Sequence, residues 1–256
     1  MLMNDIPTVW DWTGNLLDGL RITLLVTLFG TLLMIAIAIV LGLMARSHRI
    51  AVRGVARVVI EFFRGTSLPI QLFFLFFGLP LLGLRFEPLA CGVIAFGLNY
   101  GAYGAEVVRG SINAVPKPQW EAATALNLSA WQRMTRVIWP QAIPLMIPSM
   151  NNLFIQLLKS TPLLYAISLA DIMTKAEDFR KAGGDATLMY LALMVIYFVM
   201  AYAVTLLSNM AEVIAKTRLG QHAGLRSVFT FSKPKPAEEA KLVDASSAAG
   251  GPGGAR

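Results

Sequence analysis

The chain has 256 residues, 56% of them hydrophobic and 14% charged, against roughly a quarter charged in an average soluble domain. That balance, with several apolar stretches long enough to cross a bilayer, excludes an ordinary soluble globule and indicates an integral membrane protein. The formal net charge of +7 does not signal nucleic acid, because the basic residues are scattered at the ends of apolar runs and form no basic face interleaved with aromatics. It reads as a topology signal. The single cysteine, Cys91, lies inside an apolar run, so no intrachain disulfide forms and no cysteine cluster can hold a metal. Its expected role is core filler.

In chain order, the first segment, 1–19, has no basic n-region, and the apolar run that follows is too long for a signal-peptide core. That run is expected to remain as the first of five spans, at about 20–44, 55–78 (interrupted by "RGTSLP"), 89–112, 138–158 and 186–215. Each is near or above the ~20 residues a tilted helix needs, and helices are required because lipid offers the backbone no hydrogen-bond partners. Orientation follows the bias of Lys and Arg toward cytoplasmic loops. Arg46, Arg49, Arg53 and Arg57 follow the first span, Arg109, Lys117, Arg133 and Arg136 the third, and Lys216 and Arg218 the fifth. The other side carries Arg85 alone in one loop, and Lys175, Arg180 and Lys181 offset by Asp171, Glu177, Asp178 and Asp185 in another. The amino terminus is thus expected outside and the carboxyl terminus in the cytoplasm. Residues 219–256, rich in Pro, Ala, Gly and Ser, read as a disordered cytoplasmic tail. No internal repeat is evident.

Between the third and fourth spans, about 113–137, lies a cytoplasmic loop with helical grammar, "VPKPQWEAATALNLSAWQRMTRVIWPQAIP" from Val115 onward. Pro116 and Pro118 suit the approach to a helix, and the residues from Gln119 to Leu126 are largely good helix formers. Asn127 falls where a helix would end in the left-handed conformation, which Asn tolerates. Ser129 and Gln132 have capping-box spacing, so the pattern predicts two short helices at a bend, with Glu121 in the first turns, where a carboxylate is favoured. On local pattern alone, an amphipathic loop lying on lipid headgroups remains open beside this reading.

The string "EAATALNLSAWQRMTRVIWPQAIP" resembles the EAA loop of binding-protein-dependent ABC importer permeases, whose pattern is Glu-Ala-Ala, three residues, Gly, nine residues, Ile, one residue, Leu-Pro. Glu121, Ala122, Ala123, Ala142 and Pro144 stand in the matching surroundings, Asn127 occupies the usual Gly position, and the terminal element is shifted, Pro140 following Ile138 and Trp139. "EFFRGTSLPIQLFFLFFGLP" is similar to the Phe-Arg-Gly-Thr-Pro block of polar amino acid permeases of the histidine and glutamine type. "YGAEVVRGSINAVPKPQWEAA" and "NNLFIQLLKSTPLLYAISLADI" are similar to further segments of the same permeases. "QWEAATALNL" looks most like the ectoine and hydroxyectoine branch.

The resemblance implies an all-α type I ABC importer permease with five transmembrane helices and a cytoplasmic EAA coupling helix, in a bacterial cytoplasmic membrane. Glu121, Ala122, Ala123, Asn127 and Leu128 would dock in a groove of a separate ATPase. Two ATPase subunits binding ATP and Mg, a second permease chain and a periplasmic or lipid-anchored solute-binding protein are implied as partners. The chain itself has no Gly-rich phosphate cradle, "LLKST" lacking the glycine that lets backbone approach phosphate.

Polar residues inside the spans fall on stripes. Glu61, Arg64, Ser67 or Leu68, and Gln71 lie at three- and four-residue steps, as do Asn99, Tyr103, Glu106 and Gly110, and Asn152, Gln156 and Lys159, so each set shares a helical face. Ionisable groups at this depth face the bundle interior or a water-filled cavity. Arg64 and Glu106 are expected to form an intramembrane ion pair, with Glu61 the competing partner, in a role that either holds two spans together or serves transport. For Gln71, Asn99, Tyr103, Asn152 and Gln156, lining a substrate pathway and hydrogen bonding between helices both stay open. Phe73, Phe74, Phe76 and Phe77 read as packing bulk or lipid-facing, an aromatic cage being the alternative.

Two functional classes remain: a transporter permease, and an ATP-independent channel or scaffold that uses the cytoplasmic loop for partner contact. An enzyme is disfavoured, since no metal-binding His pair, nucleophile elbow or Cys-His arrangement occurs.

Overall fold

The computed structural model describes Thr8 and residues 11–218, and the expected disordered tail, 219–256, lies outside them. Among the described residues the chain is helical, without strands. Helix α1 (Thr13–Met44) starts ahead of the expected residue 20 and buries Gly19, Thr23, Val26, Gly30, Met34, Ala38 and Gly42. These steps of three and four put mostly small residues on one stripe, which lets another backbone come close.

After α2 (Ile50–Gly65), Thr66 and Ser67 are extended and α3 (Leu68–Phe73) begins with Pro69 in its first turn. Pro69 has no N–H to donate to a continuing helix, which suits it to the first turn of a new helix and not to an extension of α2. A π stretch (Phe74–Gly78) and a 3₁₀ turn (Leu79–Leu82) complete this arm, which leaves α2 at 101°. The expected second span, 55–78, is therefore two pieces at nearly a right angle. Its sequence interruption is a true break.

Helix α4 (Pro88–Asn113) packs along α1 in a glycine seam. A Cβ on Gly101 would lie 2.7 Å from Ile37, one on Gly104 2.8 Å from the Cβ of Ala38, and one on Gly42 2.9 Å from the carbonyl oxygen of Ala105. The adjoining core is built from Val26, Met34, Leu72, Phe96, Tyr100, Leu157 and Leu164. Helices α5 (Lys117–Ala125) and α6 (Ala130–Gln132) form the loop, and a π stretch (Arg133–Ile138) leads into α7 (Trp139–Ser160).

A 3₁₀ segment (Thr161–Ile167) ends at Ser168, φ +57°. Asp171 then caps α8 (Ile172–Lys181), accepting a hydrogen bond from the Thr174 N–H at 2.9 Å. A Cβ on Gly19 would sit 2.8 Å from the Cα of Ile172, so only glycine lets α1 pass the start of α8. The last described helix is α9 (Ala186–Arg218). By length and hydropathy, α1 and the part of α9 from Ala186 to Ala211 qualify singly as spans, while α2 with the arm after it, and 130–167 with α8, qualify as bent pairs.

Candidate functional site

The loop has the two-helix form that its grammar predicts. Pro116 precedes α5, with Pro118 in its first turn. At the other end Asn127 has φ +52°, the Leu128 N–H bonds the Ala123 carbonyl at 3.1 Å and the Asn127 N–H bonds the Thr124 carbonyl at 2.9 Å. This pair of bonds is the Schellman closure, which uses the left-handed residue to satisfy carbonyls that the helix end leaves free. Both halves of the capping box form: the Gln132 N–H donates to Ser129 Oγ at 3.3 Å, and the Ser129 N–H to Gln132 Oε1 at 3.0 Å.

Trp120 ties this unit to the bundle. It packs on the cluster of Val108, Ile112, Val115, Ile138, Ala142 and Met146, while the Arg46 and Arg133 guanidiniums lie 5.3 and 6.0 Å from its ring centroid, within cation–π range. Arg133 Nη1 also donates to Thr124 Oγ1 at 2.9 Å. Ala123 is buried beneath the helix, whereas Glu121, Ala122 and Asn127 are exposed and Leu128 half-buried. Leu126 and Trp131, 73% and 76% exposed, flank them, and a shallow open groove runs along Trp120, Glu121, Thr124 and Ala125.

Within the bundle, Gln71, Asn99 and Tyr103 converge on the break after α2. Gln71 Nε2 and Asn99 Nδ2 each donate to the Phe63 carbonyl at 3.0 Å, Gln71 Nε2 also reaches Thr66 Oγ1 at 2.6 Å, and Tyr103 Oη donates to the Arg64 carbonyl at 3.2 Å. A helix that stops inside a membrane must have its last carbonyls satisfied by protein. Asn152 and Gln156 are not part of this group; both are on an exposed face of α7.

The expected Arg64–Glu106 pair does not form. Glu106 is taken by Arg109, one turn along the same helix, with Nε at 3.1 and 3.2 Å from its two carboxylate oxygens. Arg64 Nη1 lies 3.5 Å from Glu61 Oε1, so the competing partner wins, and its guanidinium sits 5.3 Å from the centroid of Tyr103. Residues three apart on a helix are neighbours before any tertiary packing occurs, and that proximity decided both pairings. Phe73, Phe74 and Phe77 point outward, 40–55% exposed, and Phe76 meets Phe77 edge-on at 4.8 Å; they form packing bulk and no enclosed cage.

Sequence spacing gave no sign of the long-range polar contacts around α8. Thr161 Oγ1 is 3.0 Å from Tyr197 Oη, and Thr23 Oγ1 accepts from the Ile172 N–H at 3.2 Å. Glu177 accepts from Arg180 Nη2 at 2.8 Å and from the Tyr190 hydroxyl. The Arg180 hydrogen bond, then that of Tyr190, holds the Glu177 carboxyl below its usual range. Burial pushes Asp171 up, against the opposing hydrogen bonds from Thr174. Glu177 with Arg180 and Asp171 with Thr174 are three-residue spacings, whereas Thr23 and Ile172 are 149 positions apart, a contact that no local periodicity encodes.

Over residues 34–215 the chain matches the family described as binding-protein-dependent transport system inner membrane component. The chain belongs to that family. This membrane component is 41% identical over 218 residues to a probable amino-acid ABC transporter permease protein of Sinorhizobium fredii, covering 82% of this chain and 92% of the relative. It is 32% identical over 229 residues to the L-cystine transport system permease protein of Bacillus subtilis, covering 83% and 96%. Among solved structures, a crystal structure of an amino acid ABC transporter with histidines superposes with TM-score 0.75 at 31% identity, over 83% of this chain and 99% of that one. Families of this kind supply the permease subunit, work with ATPase and solute-binding partners, and are generally non-catalytic.

Proposed function

We propose that the chain forms the translocation pathway of an ATP-driven importer for polar amino acids in a bacterial inner membrane. It crosses five times, the second crossing broken, with its amino terminus outside. It pairs with a second permease chain, two ATPase subunits and an extracytoplasmic solute-binding protein. The observation that carries this reading is the preformed loop: Schellman closure and capping box fix two helices at a bend, leave Glu121, Ala122 and Leu126 bare and anchor the unit through Trp120. A rigid, bare helix seated on the ends of α4 and α7 is suited to docking in a partner's groove and transmitting its movement. The amino-acid class rests on the names of the relatives.

Glu121→Arg is the test of coupling. Membrane insertion should be unaffected while ATPase association weakens and uptake is lost, because reversing one charge at a docked contact turns attraction into repulsion. Unchanged uptake would remove the coupling role. A binding assay of the cognate solute-binding protein against polar amino acids and ectoine fixes the solute.

A further inference from the structure

Helix α8 packs against α1, the 3₁₀ segment (Thr161–Ile167) and α9, and Asp171 at its start is fully buried. Its Oδ1 accepts from the Thr174 N–H at 2.9 Å and lies 2.8 Å from Thr174 Oγ1. Its Oδ2 is buried without a hydrogen-bond partner. A carboxylate is favoured at a helix start, but a buried charge that is neither paired nor fully hydrogen-bonded is costly. The ion pairs of α8, Glu177 with Arg180 and Asp178 with Lys181, leave Asp171 out.

Counting protons around this carboxyl gives its state. The Thr174 hydroxyl has one proton and two acceptors, the Leu169 carbonyl at 2.5 Å and Asp171 Oδ1 at 2.8 Å. With Asp171 ionised, that proton is divided between them and one pair of oxygens meets without a hydrogen. With Asp171 protonated both contacts are made: the acid O–H donates to Thr174 Oγ1, and the Thr174 hydroxyl donates to the Leu169 carbonyl. Oδ2 is then the carbonyl oxygen of a neutral acid, which burial penalises far less than a charge. Burial pushes the carboxyl up against the pull of its hydrogen bonds. Of the groups facing it, α1 supplies Thr23 and the 3₁₀ segment Thr161, both already bonded to backbone carbonyls, while α9 brings Tyr197 within reach of its charge. The charges of α1 nearby, Asp18 and Arg21, are exposed, and Lys175 of α8 is half-buried. Tyr165 lies beneath Lys181, and Tyr190 bonds Glu177.

We propose that Asp171 carries a proton at neutral pH and works as a proton-operated latch, its relay through Thr174 to the Leu169 carbonyl holding the start of α8 against α1 and α9. Losing the proton leaves a carboxylate that needs water. The site has no room for it, because α1 passes so close that a Cβ on Gly19 would lie 2.9 Å from the Asp171 carbonyl oxygen. Hydrating the charge therefore parts α8 from α1, and the Ile172 N–H loses Thr23 Oγ1. This holds whichever solute the chain carries.

The test compares the full native chain in detergent with Asp171→Asn, which still caps the helix and cannot ionise. An acid whose folded value is raised stabilises the fold below the unfolded value of about 3.9, and loses that contribution as pH rises to the folded value. The native melting temperature should therefore fall relative to that of Asp171→Asn as pH rises from acid through neutral, and level off above the folded value. A difference that moves the other way, or does not move, overturns the latch. At neutral pH the infrared difference between the two chains should contain the carbonyl band of a neutral carboxylic acid. Carboxylate bands in its place show an ionised cap and overturn the proposal.

The native chain alone gives a second reading should Asp171→Asn fail to fold. Amide exchange over 172–176, corrected for the intrinsic effect of pH and normalised to 99–104 in the seam of α1 and α4, should speed up with rising pH. The gain is about tenfold for each pH unit by which the folded carboxyl titrates above the unfolded one. Normalised exchange that stays level or slows overturns the latch.

Discussion

At the residue scale, Asn127 shows how one backbone angle sets the shape of the loop after α4. With φ +52° it occupies a region where Gly is unstrained, Asn is tolerated and a β-branched residue is not. Asn127→Gly should leave uptake and melting temperature nearly unchanged, whereas Asn127→Val should cost about 1–2 kcal/mol and lower uptake. Equal behaviour of the two variants would show that the loop end tolerates other conformations. The charges offer a second test. Double-mutant cycles should give a clearly smaller coupling for Arg64→Ala with Glu106→Ala than for Glu106→Ala with Arg109→Ala. An equal or larger coupling in the first cycle would restore the interhelical pair that the geometry denies. Glu177 adds a pH dependence. Its folded carboxyl titrates below the usual range, so the stability it gives is present above the ordinary glutamate value of about 4.3 and is lost as pH falls through the lower folded value. The melting-temperature gap between the native chain and Glu177→Gln should therefore shrink on acidification; a gap that widens would reverse the sign.

At the scale of elements, the seam between α1 and α4 is defined by what its glycines exclude. Gly42→Val would drive a side chain into the Ala105 carbonyl and Val108, and overpacking of this kind costs about 1–3 kcal/mol or more. The yield of folded protein in detergent should fall. Gly110→Ala, with open space around it, should be tolerated and gains up to about 1 kcal/mol of helix propensity. If both variants fold equally well, α1 and α4 do not pack through this seam. Several boundaries were legible: the start of α9 at Ala186, the turn at Asn127 and the interruption after Gly65 all follow from local residue chemistry. The 101° angle at that interruption was not, because two extended residues say that a helix stops and nothing about where the next one points. The π stretches at 74–78 and 133–138 carry no signature in apolar periodicity.

For the whole molecule, topology is the sharpest expectation. In a Cys91→Ala background, Arg53→Cys and Ala130→Cys should resist an impermeant thiol reagent added outside intact cells, and Asp178→Cys should react. External labelling of Ala130→Cys would invert the orientation. Family membership and the two-helix form of the loop after α4 were readable from the sequence because a short motif carries them. The intramembrane polar residues were legible as stripes, but of their partners only Glu61 for Arg64 was among those named. Gln71, Asn99 and Tyr103 gather at one broken helix end, and that grouping depends on the height at which α2 stops beside α4.

The fastening at that height also has a mechanical meaning. Asn99 and Tyr103 pin the end of α2 to α4, and Trp120 clamps α5 to the cluster around Val108, so α2, α4 and α5 amount to a single stiff lever. The arm that follows is fastened to the same piece, Gln71 bonding the Phe63 carbonyl and Leu72 lying in the core beside Phe96. A push on Glu121 is then expected to arrive at mid-membrane as a tilt that carries the start of α3 with it, the bend at Thr66 and Ser67 keeping its shape.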